Sequence, residues 1–168
     1  LIEQKNHKLL LEIVRDLKVQ KFKVKLDILG EGQLRNELSK YIDELNLKDN
    51  VNLLGFISKE DYLHALKSAD IFVLTSKFEG MPLAMLEAMS VGLPIVANDC
   101  KSGPREILDS GNYGKLIEFN NEQLFVDAIK EVNDNYQSYS KLSTYRADYF
   151  DYKKVFNDFF DELKLVLK

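Results

Sequence analysis

Residues 70–99, DIFVLTSKFEGMPLAMLEAMSVGLPIVAND, read as strand, loop, helix and strand, and nothing else in the chain constrains the fold as tightly. The apolar runs at 71–74 and 95–97 do not alternate, as befits strands buried on both faces, so they predict a parallel sheet covered by helices. Between them Pro82 fits the first helical position, where its fixed φ is suited and its missing N–H costs nothing. Gly92 supplies a left-handed residue to end the helix, and Pro94 opens the next strand without removing a ladder bond.

Every residue at 83–89 is apolar except Glu87, so this helix is expected to be buried nearly all round. A carboxylate buried there is costly unless paired, so Glu87 should have a donor waiting in the protein or in a ligand. Glu79 lies in the loop that leads from the strand's carboxyl end into the helix, beside Gly80, which lets a ligand approach the backbone. Open α/β sheets bind ligands at such loops. Free N–H groups from Leu83 and Ala84, with Met81 alongside, offer an anion site. Two carboxylates beside it suit a ligand carrying hydroxyls and phosphate, because one carboxylate can accept both protons of a vicinal diol. The plainer alternative is that Glu79 complements the helix dipole and Glu87 pairs with a core lysine or a backbone amide.

The run from Glu79 through Gly-Met-Pro-Leu-Ala-Met-Leu to Glu87, followed by Ala-Met-Ser-Val-Gly-Leu-Pro-Ile-Val-Ala, resembles the paired-glutamate signature of the nucleotide-sugar-dependent glycosyltransferases of group 1, or family 4. The resemblance implies that Glu87 holds the nucleotide ribose and that Glu79, the catalytic residue, lies against the transferred sugar. The opening of the chain is similar too, since the family's C-terminal domain starts with a strand ending in Gly-Arg-Leu and a loop ending in lysine. On that match Lys5 faces the donor diphosphate, and the expected arginine would stand just before Leu1; otherwise Lys5 is an ordinary exposed lysine at a helix start. The family's loop after the strand at 51–54 wraps the nucleobase, which makes Phe56 and Ile57 base-pocket residues; the alternative is core residues at a turn.

What the resemblance implies for the whole chain is a Rossmann-like three-layer α/β/α domain with a parallel sheet, one lobe of a GT-B fold, with aromatic-rich helices at its C-terminus. Residues 1–168 would form this single nucleotide-sugar-binding domain, starting just after its expected first strand, with 136–168 a helical tail. The donor would be a UDP-sugar or GDP-sugar, transferred without metal and with retention to a glycan or lipid-linked acceptor. The missing N-terminal lobe would bring that acceptor, so this polypeptide alone would transfer little. A nucleotide-sugar epimerase or phosphorylase would share the lobe. A non-catalytic nucleotide-binding or assembly module is the other alternative, although a scaffold has no need of paired glutamates. A first strand missing from the middle of a six-stranded sheet would leave two neighbours unpaired, so the sheet is expected to close up or recruit a strand from another copy.

Composition narrows the field. With 168 residues, 45% hydrophobic and 30% charged, the chain suits one domain, and no apolar run is long enough for a bilayer. A formal charge of −4 without a basic stripe argues against nucleic acid as a partner. The one cysteine, Cys100, excludes an internal disulfide and suits a reducing compartment, so the expected location is cytoplasmic, or peripheral at the membrane through the missing lobe. Two isolated histidines and one thiol make no structural zinc set; His7 reads as solvated or capping and His64 as inert.

Along the rest of the chain, a helix begins near Asn6 with Leu10, Ile13, Val14 and Leu17 on one face. A strand at 24–29 turns through Gly30-Glu31-Gly32 into a helix at 33–45, without the third glycine of a dinucleotide site. Ser58 is placed to cap a helix with Asp61 at its third position. Pro104 starts a brief helix, in which Arg105 and Glu106 read as structural. The last strand is placed at 115–119, and Asn120 or Asn121 caps the following helix. The apolar stripe of Phe156, Phe159, Phe160 and Leu163 in the tail must dock on something, such as the partner lobe.

Overall fold

The computed structural model describes residues 1–100, 102–118 and 121–151. After a 3₁₀ turn at Glu3–Lys5, α1 (His7–Val19) leads to β1 (Leu26–Leu29), α2 (Arg35–Glu44), β2 (Val51–Gly55) and α3 (Lys59–Ser68). The second half runs β3 (Phe72–Leu74), α4 (Leu83–Ser90), β4 (Ile95–Asn98), α5 (Pro104–Ile107), β5 (Lys115–Ile117), α6 (Glu122–Asp134) and α7 (Tyr136–Tyr149). All named strand pairs are parallel.

All four residues of β4 are buried, as a strand covered on both faces requires, and they face alternate sides. Val96 packs with Leu9, Ile13 and Leu17 of α1 and Phe125, Val126 and Ile129 of α6. Its neighbours Ile95 and Ala97 point the other way, into Met85, Ala88 and Met89 of α4 and Ile107 of α5. A further cluster joins Leu10 and Val14 of α1 to Leu38 and Ile42 of α2 over Ile28 and Val51. Helices α1, α2 and α6 therefore cover one face and α3, α4 and α5 the other, giving three layers.

The sheet, however, is not continuous. It divides into β1–β2 and β3–β4–β5, and among the described residues β1 and β3 pair with nothing on the edges that line the cleft between them. Of the two outcomes expected, closing up or recruiting a strand from another copy, the single chain does not show the first: Val24 and Val73 help pack the clusters on either side without bringing their backbones into register. Pro82 also lies one residue outside the helix, as N-cap with ψ 89°, and Leu83 takes the first helical position. Gly92 has the expected positive φ of 83°. Two capping expectations hold: the Ser58 hydroxyl accepts from Asp61 N–H at 3.0 Å, and Asn121 Oδ1 accepts from Leu124 N–H at 3.1 Å. Phe119, Asn120 and the apolar stripe at 156–163 lie outside the described residues.

Candidate functional site

The loop between β3 and α4 is fixed on one side by the residues that precede α1. Lys77 N–H donates to the Gln4 carbonyl at 2.8 Å, Gln4 Nε2 donates to the Phe78 carbonyl at 2.9 Å, and Thr75 Oγ1 donates to the carbonyls of Lys5 and Asn6. This stitching brings Lys5 Nζ to 2.7 Å from Glu79 Oε1 across 74 positions of sequence. The Glu79 side chain is only 8% exposed and that of Lys5 41%, so the ammonium compensates a carboxylate largely removed from water.

On the other side the loop rests on the carboxyl end of β4. Asn98 Nδ2 donates to the carbonyls of Thr75 and Ser76, Cys100 Sγ–H donates to Ser76 O, and Ser102 Oγ donates to Glu79 O at 2.7 Å. Burial, then the nearby Glu79 and Asp99 charges, push the Cys100 thiol upward, so it remains protonated. Gly103, with φ 65°, presses against Gly80; a Cβ there would stand 2.5 Å from the Gly80 carbonyl. Gly80 itself borders open space, as a backbone that admits a ligand should.

At the start of α4 no side chain caps the helix. Met85 N–H is taken by the Pro82 carbonyl at 2.9 Å, whereas the Leu83 and Ala84 amides occupy first-turn positions with no intrahelical acceptor. Both residues are exposed, as is Met81.

Glu87 departs from expectation. It is exposed rather than buried, because the apolar girdle of α4 is covered only where Met85, Ala88 and Met89 pack; Leu83, one turn back on the same face as Glu87, is 65% exposed. Its partner is neither lysine nor amide. The Tyr62 hydroxyl of α3 donates to Glu87 Oε2 at 2.5 Å, and burial followed by that carboxylate drives the phenol strongly upward. Sequence reasoning passed over Tyr62. The available signal was a tyrosine one turn before buried Leu66, which puts a hydroxyl at the inner edge of α3.

A cleft of about 710 Å³ separates the two sheets and reaches this region, where Lys5, Thr75, Ser76, Phe56, Tyr62 and Ala84 line it. Phe56 is 85% exposed, which removes the reading of it as a core residue. Ile57 is half-buried. Ile57, Glu79, Gly80, Met81, Leu83 and Glu87 do not line the cleft. His7 is neither solvated nor a cap: it opens α1, its Nδ1 is buried without a partner among the described residues, and burial, then the N-terminal charge, then Lys5 lower its pKa to about 4. His64 is exposed as expected.

A family model described as "Glycosyl transferases group 1" matches residues 1–148. Among curated relatives, the Campylobacter jejuni N-acetylgalactosamine-N,N'-diacetylbacillosaminyl-diphospho-undecaprenol 4-alpha-N-acetylgalactosaminyltransferase is 35% identical over 157 residues, 92% of this chain and 42% of the relative. An uncharacterized glycosyltransferase of Methanocaldococcus jannaschii is 42% identical over 64% of this chain and 26% of its own length. The chain therefore spans less than half of either relative. Among solved structures, S. aureus TarM in complex with Fondaparinux, alpha-GlcNAc-glycerol and UDP superimposes with a TM-score of 0.79 at 30% identity, over 88% of this chain and 30% of TarM. The lipopolysaccharide outer core galactosyltransferase WaaB gives a TM-score of 0.78 at 26% identity, over 95% of this chain and 45% of that one. A parallel three-layer fold carrying the paired glutamates, matched by the family model over most of its length, places this chain among the group 1 glycosyl transferases.

Proposed function

We propose that this chain is the donor-binding lobe of a retaining glycosyltransferase that takes its sugar from a nucleoside diphosphate, UDP or GDP, and passes it to a glycan or lipid-linked acceptor held by a second lobe. The observation that carries this reading is the approach of Lys5 to Glu79, at 2.7 Å, beside the uncapped start of α4. A cation, free amides and a carboxylate then converge on the loop where α/β sheets bind ligands.

In this reading the donor diphosphate lies against the Leu83 and Ala84 amides, with Met81 alongside. The Lys5 ammonium has three donors and can hold a phosphate oxygen while keeping Glu79. Charge growing on the departing diphosphate meets groups already in place, which lowers the barrier without reorganisation. Glu79 orients the sugar and stabilises positive charge on its ring. Glu87 accepts from the ribose diol, and Phe56 with Ile57 borders the base. Exposed Phe78, Met81 and Leu83 surround the site and suit closure of an acceptor lobe over it. TarM was solved with UDP, and the Campylobacter relative is named for a diphospho-undecaprenol-linked acceptor, which supports work at a membrane surface. Among the described residues no helix is long and apolar enough to cross one.

Calorimetric titration of the intact protein with UDP and GDP tests the reading. One of the two should bind, and Lys5→Ala and Glu87→Ala should each weaken it about 10-fold or more, the cost of a lost charge-assisted hydrogen bond. Glu79→Gln should reduce sugar transfer far more than diphosphate binding. Binding of neither diphosphate, or affinity indifferent to Glu87, refutes it.

A further inference from the structure

We propose that Tyr62 is a positioning residue for the donor: its hydroxyl holds one oxygen of Glu87 so that the other stays free for the ribose diol. The inference rests on the reading of Glu87 as the ribose acceptor.

Glu87 is exposed on the helix face it shares with Leu83, and Tyr62 is the sole donor to its carboxylate among the described residues. A glutamate in that setting samples many rotamers, and ordering it costs side-chain entropy. Ordering it in advance removes that cost from the binding step. Tyr62 is equipped to do so. Its ring packs against the cluster of Leu66, Met85, Ala88 and Met89, which fixes the hydroxyl relative to α4, and the 2.5 Å bond to Oε2 leaves Oε1 unengaged. An ionised carboxylate offers about four lone-pair sites, so one phenol leaves room for both protons of a diol. Tyr62 also lines the same cleft as Phe56 and Ala84, the residues assigned to the nucleoside and the phosphates. The upward-shifted phenol keeps its proton, and hence its donor role, across the neutral range. A bond that only tied α3 to α4 would contribute to stability and nothing to recognition of the sugar hydroxyls.

The test uses the intact protein and whichever of UDP and GDP it binds more tightly, together with the 2′-deoxy form of that nucleotide and inorganic pyrophosphate. Tyr62→Phe keeps the ring and removes the hydroxyl. It should weaken the nucleotide about 5-fold to 10-fold, shrink the preference over the 2′-deoxy nucleotide, and leave pyrophosphate affinity within about twofold. Combined with Glu87→Gln, it should add no further loss, since the two act as one unit. If Glu87→Gln weakens the nucleotide while Tyr62→Phe does not, or if Tyr62→Phe weakens pyrophosphate equally, Tyr62 has no positioning role and the ribose reading stands. If Glu87→Gln leaves the preference for the ribonucleotide intact, the ribose reading falls and the inference with it.

Discussion

At Glu122, in the first turn of α6, two carboxylates compete for one guanidinium: Arg15 Nε lies 2.7 Å from Asp16 Oδ1, and its Nη2 lies 2.7 Å from Glu122 Oε1. Burial, then the hydrogen bond and charge of Asp16, raise Glu122 to about 7 despite Arg15, while the hydrogen bond from Arg15 holds Asp16 low. A carboxyl group whose folded pKa lies above its unfolded one favours the native state at acid pH. That contribution is complete below about 4.5 and is lost as pH rises to about 7. Urea unfolding at pH 5 and pH 8 should therefore show a smaller stability difference in Glu122→Gln than in the wild type, and equal differences would refute the upward shift of Glu122. In sequence Glu122 reads only as an acid suited to a helix start. The same blindness to third neighbours misplaced Glu87. The apolar residues around Glu87 suggested burial that α4 receives on one face only, whereas Glu79 is buried in a loop held between residues 4–6 and 98–102.

Helix α7 shows the same limit one level up. Its sequence, YQSYSKLSTYRADY, has little apolar periodicity, and among its residues only Ser143 is buried. It docks on α4 through close approach: a Cβ on Gly92 would stand 3.1 Å from Ser140 Oγ and 3.3 Å from Thr144 Oγ1. Arg146 then ties it to α5, donating from Nε to the Ile107 carbonyl at 2.7 Å and from Nη2 to the Glu106 carbonyl at 2.8 Å, with its guanidinium over Tyr113, Tyr149 and Phe150. Those carbonyls end a four-residue helix, where that of Glu106 also accepts from Asp109 N–H at 3.1 Å. Arg146→Ala should cost about 2 kcal/mol, a fall in Tm of about 4–8 °C by thermal denaturation. Arg146→Lys should recover little, because an ammonium lacks both the fork and the stacking plane. Rescue by lysine would mean that charge alone matters there. Caps, strands and the amphipathic helices α1 and α6 could be read directly, because they depend on neighbours close in sequence; a side chain bonding to carbonyls 40 positions away could not.

The whole molecule is organised about the break in its sheet. β1 and β3 run in the same sense and border the same cleft, so a strand laid between them would complete ladders on both edges. Leu1 stands at the carboxyl end of that space, with its amine bonded to the Glu31 carbonyl and its own carbonyl accepting from Leu34 N–H at 3.2 Å. Chain running up the cleft into Leu1 would be parallel to both neighbours, the arrangement a doubly wound sheet requires. Each ladder bond contributes about 1 kcal/mol net, so two open edges leave an appreciable drive toward any strand that fits. Residues 1–168 alone should therefore associate through this space, with an apparent mass that rises with concentration in sedimentation. Adding about five strand-forming residues, rich in valine and isoleucine, ahead of Leu1 should suppress that association and slow amide exchange at Ile28 and Val73 together. A monomer at all concentrations, whose β1 and β3 amides exchange at the same rate with and without the added residues, would show that the cleft takes no strand.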